Sequence, residues 1–144
     1  MSVVGAVVLV AVLVVATAVG LVRQRRNGRV RATTPAAGEQ LDGWEIAGVS
    51  PAPDDRVLLL QLSSPICTPC TQTRGQLRTL AADRPGIRHV EVDIAERPEV
   101  ARDLHVMRTP TTVAFDRAGT ELLRVGGVPR RADLVAALPL EETR

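Results

Sequence analysis

The chain has no lysine and no tyrosine, one tryptophan (Trp44), one phenylalanine (Phe115) and two cysteines. With lysine missing, every basic side chain is arginine, which reads as codon bias rather than function. Two aromatic residues cannot build a base-stacking surface, so nucleic acid is not an expected partner. They also leave the core to Val, Leu, Ile and Ala, enough for a domain of about 90 residues. Two cysteines need two further ligands to hold zinc. The two histidines, His89 and His105, are far from finger-type spacing, so no metal site is expected. Paired catalytic acids, a Ser-His-Asp set and a phosphate loop are also missing. Asp93, Glu96, Glu99 and Asp103 read as solvated cap and surface charges. The formal net charge of +2 is modest.

What the chain does have begins with a run of twenty residues, Val3 to Val22, without a charge. As a helix, that run spans a bilayer core. Ala16-Thr17-Ala18 resembles a signal cleavage site, but a signal peptide has basic residues before a shorter apolar run. Here none precedes it, so residues 1–22 are expected to remain as an anchor. Arg23, Arg25, Arg26, Arg29 and Arg31 follow at once. Basic residues beside a span stay cytoplasmic. The expected topology is N-out and C-in, with the rest of the chain in the cytoplasm.

Residues 23–55 read as a basic juxtamembrane segment and linker. Thr33-Thr34-Pro35-Ala36-Ala37-Gly38 has the composition of a flexible tether. Leu41 to Val49 reads as a short helix or loose strand, with Trp44 packing onto the domain. From residue 56 the pattern is regular. Val57 to Ser63 reads as a buried strand. A helix with a Leu77, Leu80, Ala81 stripe follows and stops at Pro85-Gly86. Arg88 to Ile94 is a second strand and Arg97 to His105 a short helix. Thr111 to Phe115 and Glu121 to Val125 form a hairpin across Asp116-Arg117-Ala118-Gly119. Arg131 to Leu138 is a closing helix. Helix-separated strands imply parallel pairing, and the hairpin adds an antiparallel edge. The expected fold class is α/β: a mixed four-stranded sheet flanked by helices over residues 56–144, preceded by one transmembrane helix.

The two cysteines are Cys67 and Cys70, in Cys67-Thr68-Pro69-Cys70, where the first strand turns into its helix. A Cys-x-x-Cys pair at such a junction is a redox site. The partial positive charge at the helix start favours a thiolate, the form that attacks disulfides. The second cysteine is close enough to displace the first from a mixed disulfide. A purely structural bridge would gain little, because the loop it closes is so short.

Over residues 57–140 the chain resembles the thioredoxin family. The resemblance rests on the Cys-x-x-Cys after the first core strand, on Met107-Arg108-Thr109-Pro110-Thr111-Thr112-Val113, on the hairpin and on the last helix. It implies a thioredoxin-like fold in which Pro110 is cis and faces the disulfide. It also implies that Thr109, Pro110 and Gly126 line a groove for an extended substrate, although Gly126-Gly127 reads equally well as a bulge. The whole chain is similar to membrane-anchored thioredoxin-like proteins of bacteria. Departures surround the site. Ile66 replaces the family's tryptophan, and Thr68 its glycine, with Pro69 retained. Gln61 aligns with the buried aspartate and His89 with a nearby lysine. Gln61 cannot accept a proton in this range. Water, a neighbour such as Glu91, or the leaving thiolate must then deprotonate Cys70, and resolution is expected to be slow.

The expected function is a membrane-tethered protein-disulfide reductase acting on disulfide-bearing clients. Cys67 would be the nucleophile and Cys70 the resolving thiol. The resemblance implies no bound cofactor beyond the redox-active disulfide, and electrons from an NADPH-dependent thioredoxin reductase or another thiol donor. The alternatives are an extracytoplasmic thiol oxidoreductase for cytochrome maturation or disulfide formation, with the opposite topology, and a non-catalytic interaction module.

Overall fold

The computed structural model describes residues 3–33 and 41–140. Its elements are α1 (Val3–Arg26), β1 (Val30–Ala32), α2 (Gly43–Ala47), β2 (Val57–Ser63), α3 (Thr68–Asp83), β3 (Ile87–Asp93), α4 (Pro98–Asp103), β4 (Thr111–Asp116), β5 (Glu121–Gly126) and α5 (Arg131–Ala137). α1 is long and apolar enough to cross a membrane, and its apolar window is wholly uncovered by the rest of the chain.

All seven residues of β2 are buried. A strand covered on both faces reads as a continuous apolar run rather than an alternating one, which explains Val57-Leu58-Leu59-Leu60. Leu58, Leu60 and Leu62 face a core shared with Trp44, Val100, Leu104 and Phe115. Val57 and Leu59 face the opposite core, with Leu77, Leu80, Leu123 and Leu134. By the two-residue period of a strand, Gln61 and Ser63 continue this second face toward α3.

The α/β architecture, with a mixed sheet and flanking helices, is as the sequence predicts. The strand count is not: the sheet has five strands, in the order β1-β5-β4-β2-β3. The additional strand, β1, pairs antiparallel with β5 through Val30↔Val125, Arg31↔Arg124 and Ala32↔Leu123. Three residues, one of them arginine, carry no periodic signal, because backbone pairing places them and not burial. The order also differs from simple helix-separated parallel pairing. Only β2 and β3 are parallel. The chain after α4 crosses to the other side of β2, where β4 runs antiparallel. Most of the expected tether, residues 34–38, lies outside the described residues. Its flanks do not: Thr33 donates its N–H to the Leu122 carbonyl at 3.2 Å, and α2 lies on the sheet.

α2 is held firmly for its length. Asp42 caps it by accepting from the Trp44 N–H at 2.8 Å, as short polar side chains do at helix starts. Trp44 is 2% exposed, and its indole N–H donates to the Asp116 carbonyl at 2.9 Å. Trp44 is therefore a core residue of the domain. Trp44→Ala should lower stability by about 4 kcal/mol, the cost of emptying a large aromatic site. Urea unfolding of the full chain in detergent, followed by far-UV circular dichroism, measures this; a loose linker residue would cost almost nothing.

Candidate active site

The site begins where β2 ends. Ser64-Pro65-Ile66 carries the chain off the sheet, and Cys67 caps α3 in an extended conformation (φ −145°, ψ 95°). Its Sγ accepts from the Cys70 N–H at 3.2 Å. The Cys67 carbonyl accepts from the N–H groups of Cys70 and Thr71. Pro69 sits in the first turn of the helix, where its missing N–H leaves no intrahelical bond unmade. A sulfur at the N-cap of a sixteen-residue helix, accepting one of its first amide N–H groups, is in a setting that favours negative charge.

The two sulfurs are joined, with S–S 2.02 Å and Cα–Cα 5.2 Å. Cys67 is partly exposed and Cys70 is 1% exposed. Beside them, Ile66 is 98% exposed and Met107 94% exposed, two large apolar side chains that face solvent rather than the core.

The second loop of the site carries the cis Thr109–Pro110 bond. It meets the first through Ser64 Oγ and Thr109 Oγ1, 3.1 Å apart. Pro110 is buried, and its carbonyl accepts from the Gly127 N–H at 2.8 Å. Thr111 pairs with Gly126. Loop 107–110 and the end of β5 are thus one unit. Gly126 does not simply leave room for a bound chain: the Arg108 guanidinium lies where a Cβ at Gly126 would be. Arg108 Nη2 donates to the Gly126 carbonyl at 3.4 Å and Nη1 to Asn27 Oδ1 at 3.1 Å.

Behind Cys70 lies a polar network in an otherwise apolar layer. Gln61 is fully buried. Its Nε2 donates to the Cys70 carbonyl at 3.0 Å and to Ser63 Oγ at 2.8 Å. Ser63 Oγ donates to Glu91 Oε1 at 2.6 Å. Arg74 closes on Glu91 with two bonds, one from Nε and one from Nη2 at 2.8 Å. Those bonds hold the Glu91 carboxyl below its ordinary range, with Ser63 adding to the effect and burial opposing it. Glu91 is accordingly a weak proton acceptor near neutrality. Gln61 Oε1 faces His89 Nε2 at 3.1 Å. An amide oxygen only accepts, so this contact fixes the N–H of neutral His89 on Nε2. Among the described residues, the buried Thr73 and Thr112 hydroxyls find no hydrogen-bond partner, and Thr112 lies directly across from Gln61.

Ser63, Ser64, Arg74 and Arg108 were not singled out in the sequence. Ser63 follows from strand period, since it shares a face with Gln61. Arg74 is one helical turn past Cys70 and Arg108 adjoins Thr109, so both were in reach of spacing arguments. Nothing local marks Asn27. Among the described residues no cluster of three His, Cys, Asp or Glu side chains could hold a metal.

Burial lowers the His89 pKa from 6.5 to about 4, with Glu91 opposing and Arg78 and Arg74 assisting. The unfolded chain therefore binds a proton there that the folded chain refuses, and stability falls as pH drops from about 6.5 to about 4. Glu91 adds a further loss at lower pH, as its depressed carboxyl is protonated. His89→Gln keeps an N–H for Gln61 and removes the titration. Urea midpoints at pH 7 and pH 4.5 should differ clearly in the parent and much less in the variant; equal losses in both would clear His89 of the effect.

Known proteins are similar to this chain. The thioredoxin family profile matches residues 49–139. Thioredoxin H10 of Arabidopsis thaliana is 28% identical over 88 residues, 61% of this chain and 56% of that protein. The chain thus spans about half the length of that plant relative. The SPbeta prophage-derived thioredoxin-like protein YosR of Bacillus subtilis (strain 168) is 33% identical over 76 residues, 52% of this chain and 89% of that protein. Among solved structures, a mutant thioredoxin from Halobacterium salinarum NRC-1 superposes with a TM-score of 0.51 at 25% identity, covering 56% of this chain and 69% of that one. Fasciola hepatica thioredoxin gives 0.53 at 22% identity, covering 62% and 84%, a likeness of fold alone. The family match runs from before β2 to the end of α5 and takes in both loops of the site. The chain belongs to the thioredoxin family.

Proposed function

We propose that this protein is a membrane-tethered thiol–disulfide oxidoreductase that reduces disulfides in client proteins. One observation carries the reading: a partly exposed sulfur caps α3, bonded to a buried sulfur one turn behind it. The exposed sulfur can attack. The buried one meets only what the first has captured.

In the reduced form, the Cys67 thiolate attacks one sulfur of a client disulfide. A Cys67–client bond forms, the client S–S bond breaks, and the second client sulfur leaves as a thiolate. With Glu91 engaged by Arg74 and Ser63, that leaving thiolate is the group to take the Cys70 proton. Cys70 then attacks Cys67 Sγ, the Cys67–Cys70 disulfide closes, and the remaining client sulfur departs to be protonated by solvent. Two electrons pass to the client. A dithiol donor such as an NADPH-dependent thioredoxin reductase must restore the pair. Gln61 grips the Cys70 carbonyl and steadies the first turn while this happens. Thr109, Pro110 and Gly126 would line the client's path, with Ile66 and Met107 as its apolar flanks.

The span in α1 and the arginines that follow it support an inner-leaflet tether with the domain in the cytoplasm. An alkaline phosphatase fused to the C-terminus should be inactive; activity would put the domain outside and favour the extracytoplasmic alternative.

Cys67→Ser should abolish insulin reduction by the full chain. Cys70→Ser should stall after the first exchange and accumulate mixed disulfides visible on non-reducing gels. Turnover by Cys67→Ser would remove that residue as the nucleophile, and an absence of trapped clients would remove Cys70 as the resolving thiol.

A further inference from the structure

The connection between the apolar helix and the groove is short and bonded. Asn27 continues the last turn of α1 by donating its N–H to the Arg23 carbonyl at 3.1 Å. Gly28 donates its N–H to the Gly126 carbonyl at 2.9 Å. Gly28 is buried with φ +76°, and any side chain there would run into the Val128 carbonyl. Asn27 Oδ1 holds Arg108, the residue before Thr109. From Val30 the chain is already a strand of the sheet. Only Asn27, Gly28 and Arg29 separate α1 from β1, and two of the three bond to the groove.

We infer that the site acts on disulfides held at the membrane surface, on clients that are themselves membrane-anchored. This rests on the tether proposed above. Two extended residues reach about 7 Å, so with the 2.9 Å hydrogen bond the Gly126 carbonyl lies within about 10 Å of the end of α1. Arg23 to Arg26 add about 6 Å of helix. The groove edge is therefore within about 16 Å of Val22, the last apolar residue. The headgroup layer itself takes up about 5–7 Å of that. A free tether over residues 23–55 would instead let the domain range about 30 Å from its anchor. The docked connector denies it that reach. Arg23, Arg25, Arg29 and Arg31 are exposed around the junction, and Arg108 is held there by neutral oxygens. This basic collar suits anionic headgroups. The groove, the collar and the exposed Ile66 and Met107 then work at the lipid surface, where a client on a span of its own is confined at high effective concentration.

The test is single-turnover reduction by the full chain, pre-reduced and reconstituted in vesicles of phosphatidylcholine and phosphatidylglycerol. The probe is a transmembrane peptide with a fluorogenic disulfide loop, placed either within about five residues of its span or about forty residues away on a Gly/Ser spacer. The near probe should react about tenfold faster. A Gly/Ser insertion of about twenty residues between Arg26 and Asn27 should bring the two rates together and leave reduction of soluble insulin unchanged. Equal rates on the two probes with the parent chain, or a near preference that survives the insertion, would overturn the inference. Flotation separates this failure from that of the tether: a chain that does not float with the vesicles has no anchor, whereas one that floats and shows no preference sinks only the surface-client reading.

Discussion

The burial of β2 on both faces is the constraint from which the rest of the domain follows. Its seven residues pair with β3 in parallel, and the first six, Val57 to Leu62, pair antiparallel with β4. A slip of one residue would turn Leu58, Leu60 and Leu62 toward α3 and Gln61 toward the other core. The same register ends the strand at Ser63, delivers Cys67 to the helix start, and sets Thr112 opposite Gln61. The position of the Cys67 sulfur and the polar network behind it are consequences of strand pairing rather than of loop conformation.

That network redistributes the electrostatics of the site. A buried carboxylate would be costly unless paired. Here the buried position is an amide, Gln61, and a carboxylate stands one strand outward at Glu91, where Arg74 meets it partly in solvent. His89 is kept neutral by burial. The layer beneath Cys70 therefore holds polar groups without a free base, and Gln61 spends its N–H donors on the Cys70 carbonyl and Ser63. The network stabilises the geometry of the first turn more than it assists proton transfer. For the proposed attack, the favourable charge comes from the N-terminus of α3, through the Cys70 N–H that Cys67 Sγ already accepts.

How much of this was legible in the sequence depends on the kind of force involved. The Cys-x-x-Cys junction, the buried β2, the Leu77–Leu80 stripe and the β4–β5 hairpin were readable, because apolar periodicity and turn chemistry are local. Cis Pro110 entered through a family resemblance. β1 was not readable: Val30-Arg31-Ala32 is held by backbone bonds to β5, and side-chain pattern does not report those. The crossing of β4 to the far side of β2 was hidden because a short helix such as α4 does not fix which neighbour the next strand joins. The pairing of Arg74 with Glu91 joins residues seventeen apart on different elements, and spacing along one helix or one strand cannot reveal it. Trp44 was expected to pack on the domain and does, yet the segment around it had the composition of a linker. Its helix exists because Asp42 caps it and the indole finds Asp116.

β1 also does two jobs that are usually separate. A sheet edge left open invites pairing with other chains, and β5 would be such an edge. β1 covers it with three residues, and those residues begin four positions after the apolar helix ends. Covering the edge and fixing the end of α1 beside Gly126 are therefore one structural event. Val30↔Val125 cannot form without drawing the end of α1 toward Gly126, and Gly28 cannot dock without feeding the chain into β1. A domain cut free of its first thirty-three residues would lose an edge strand along with the apolar helix. In this protein the apolar helix is thus tied into the folding of the sheet and is not an addition to it.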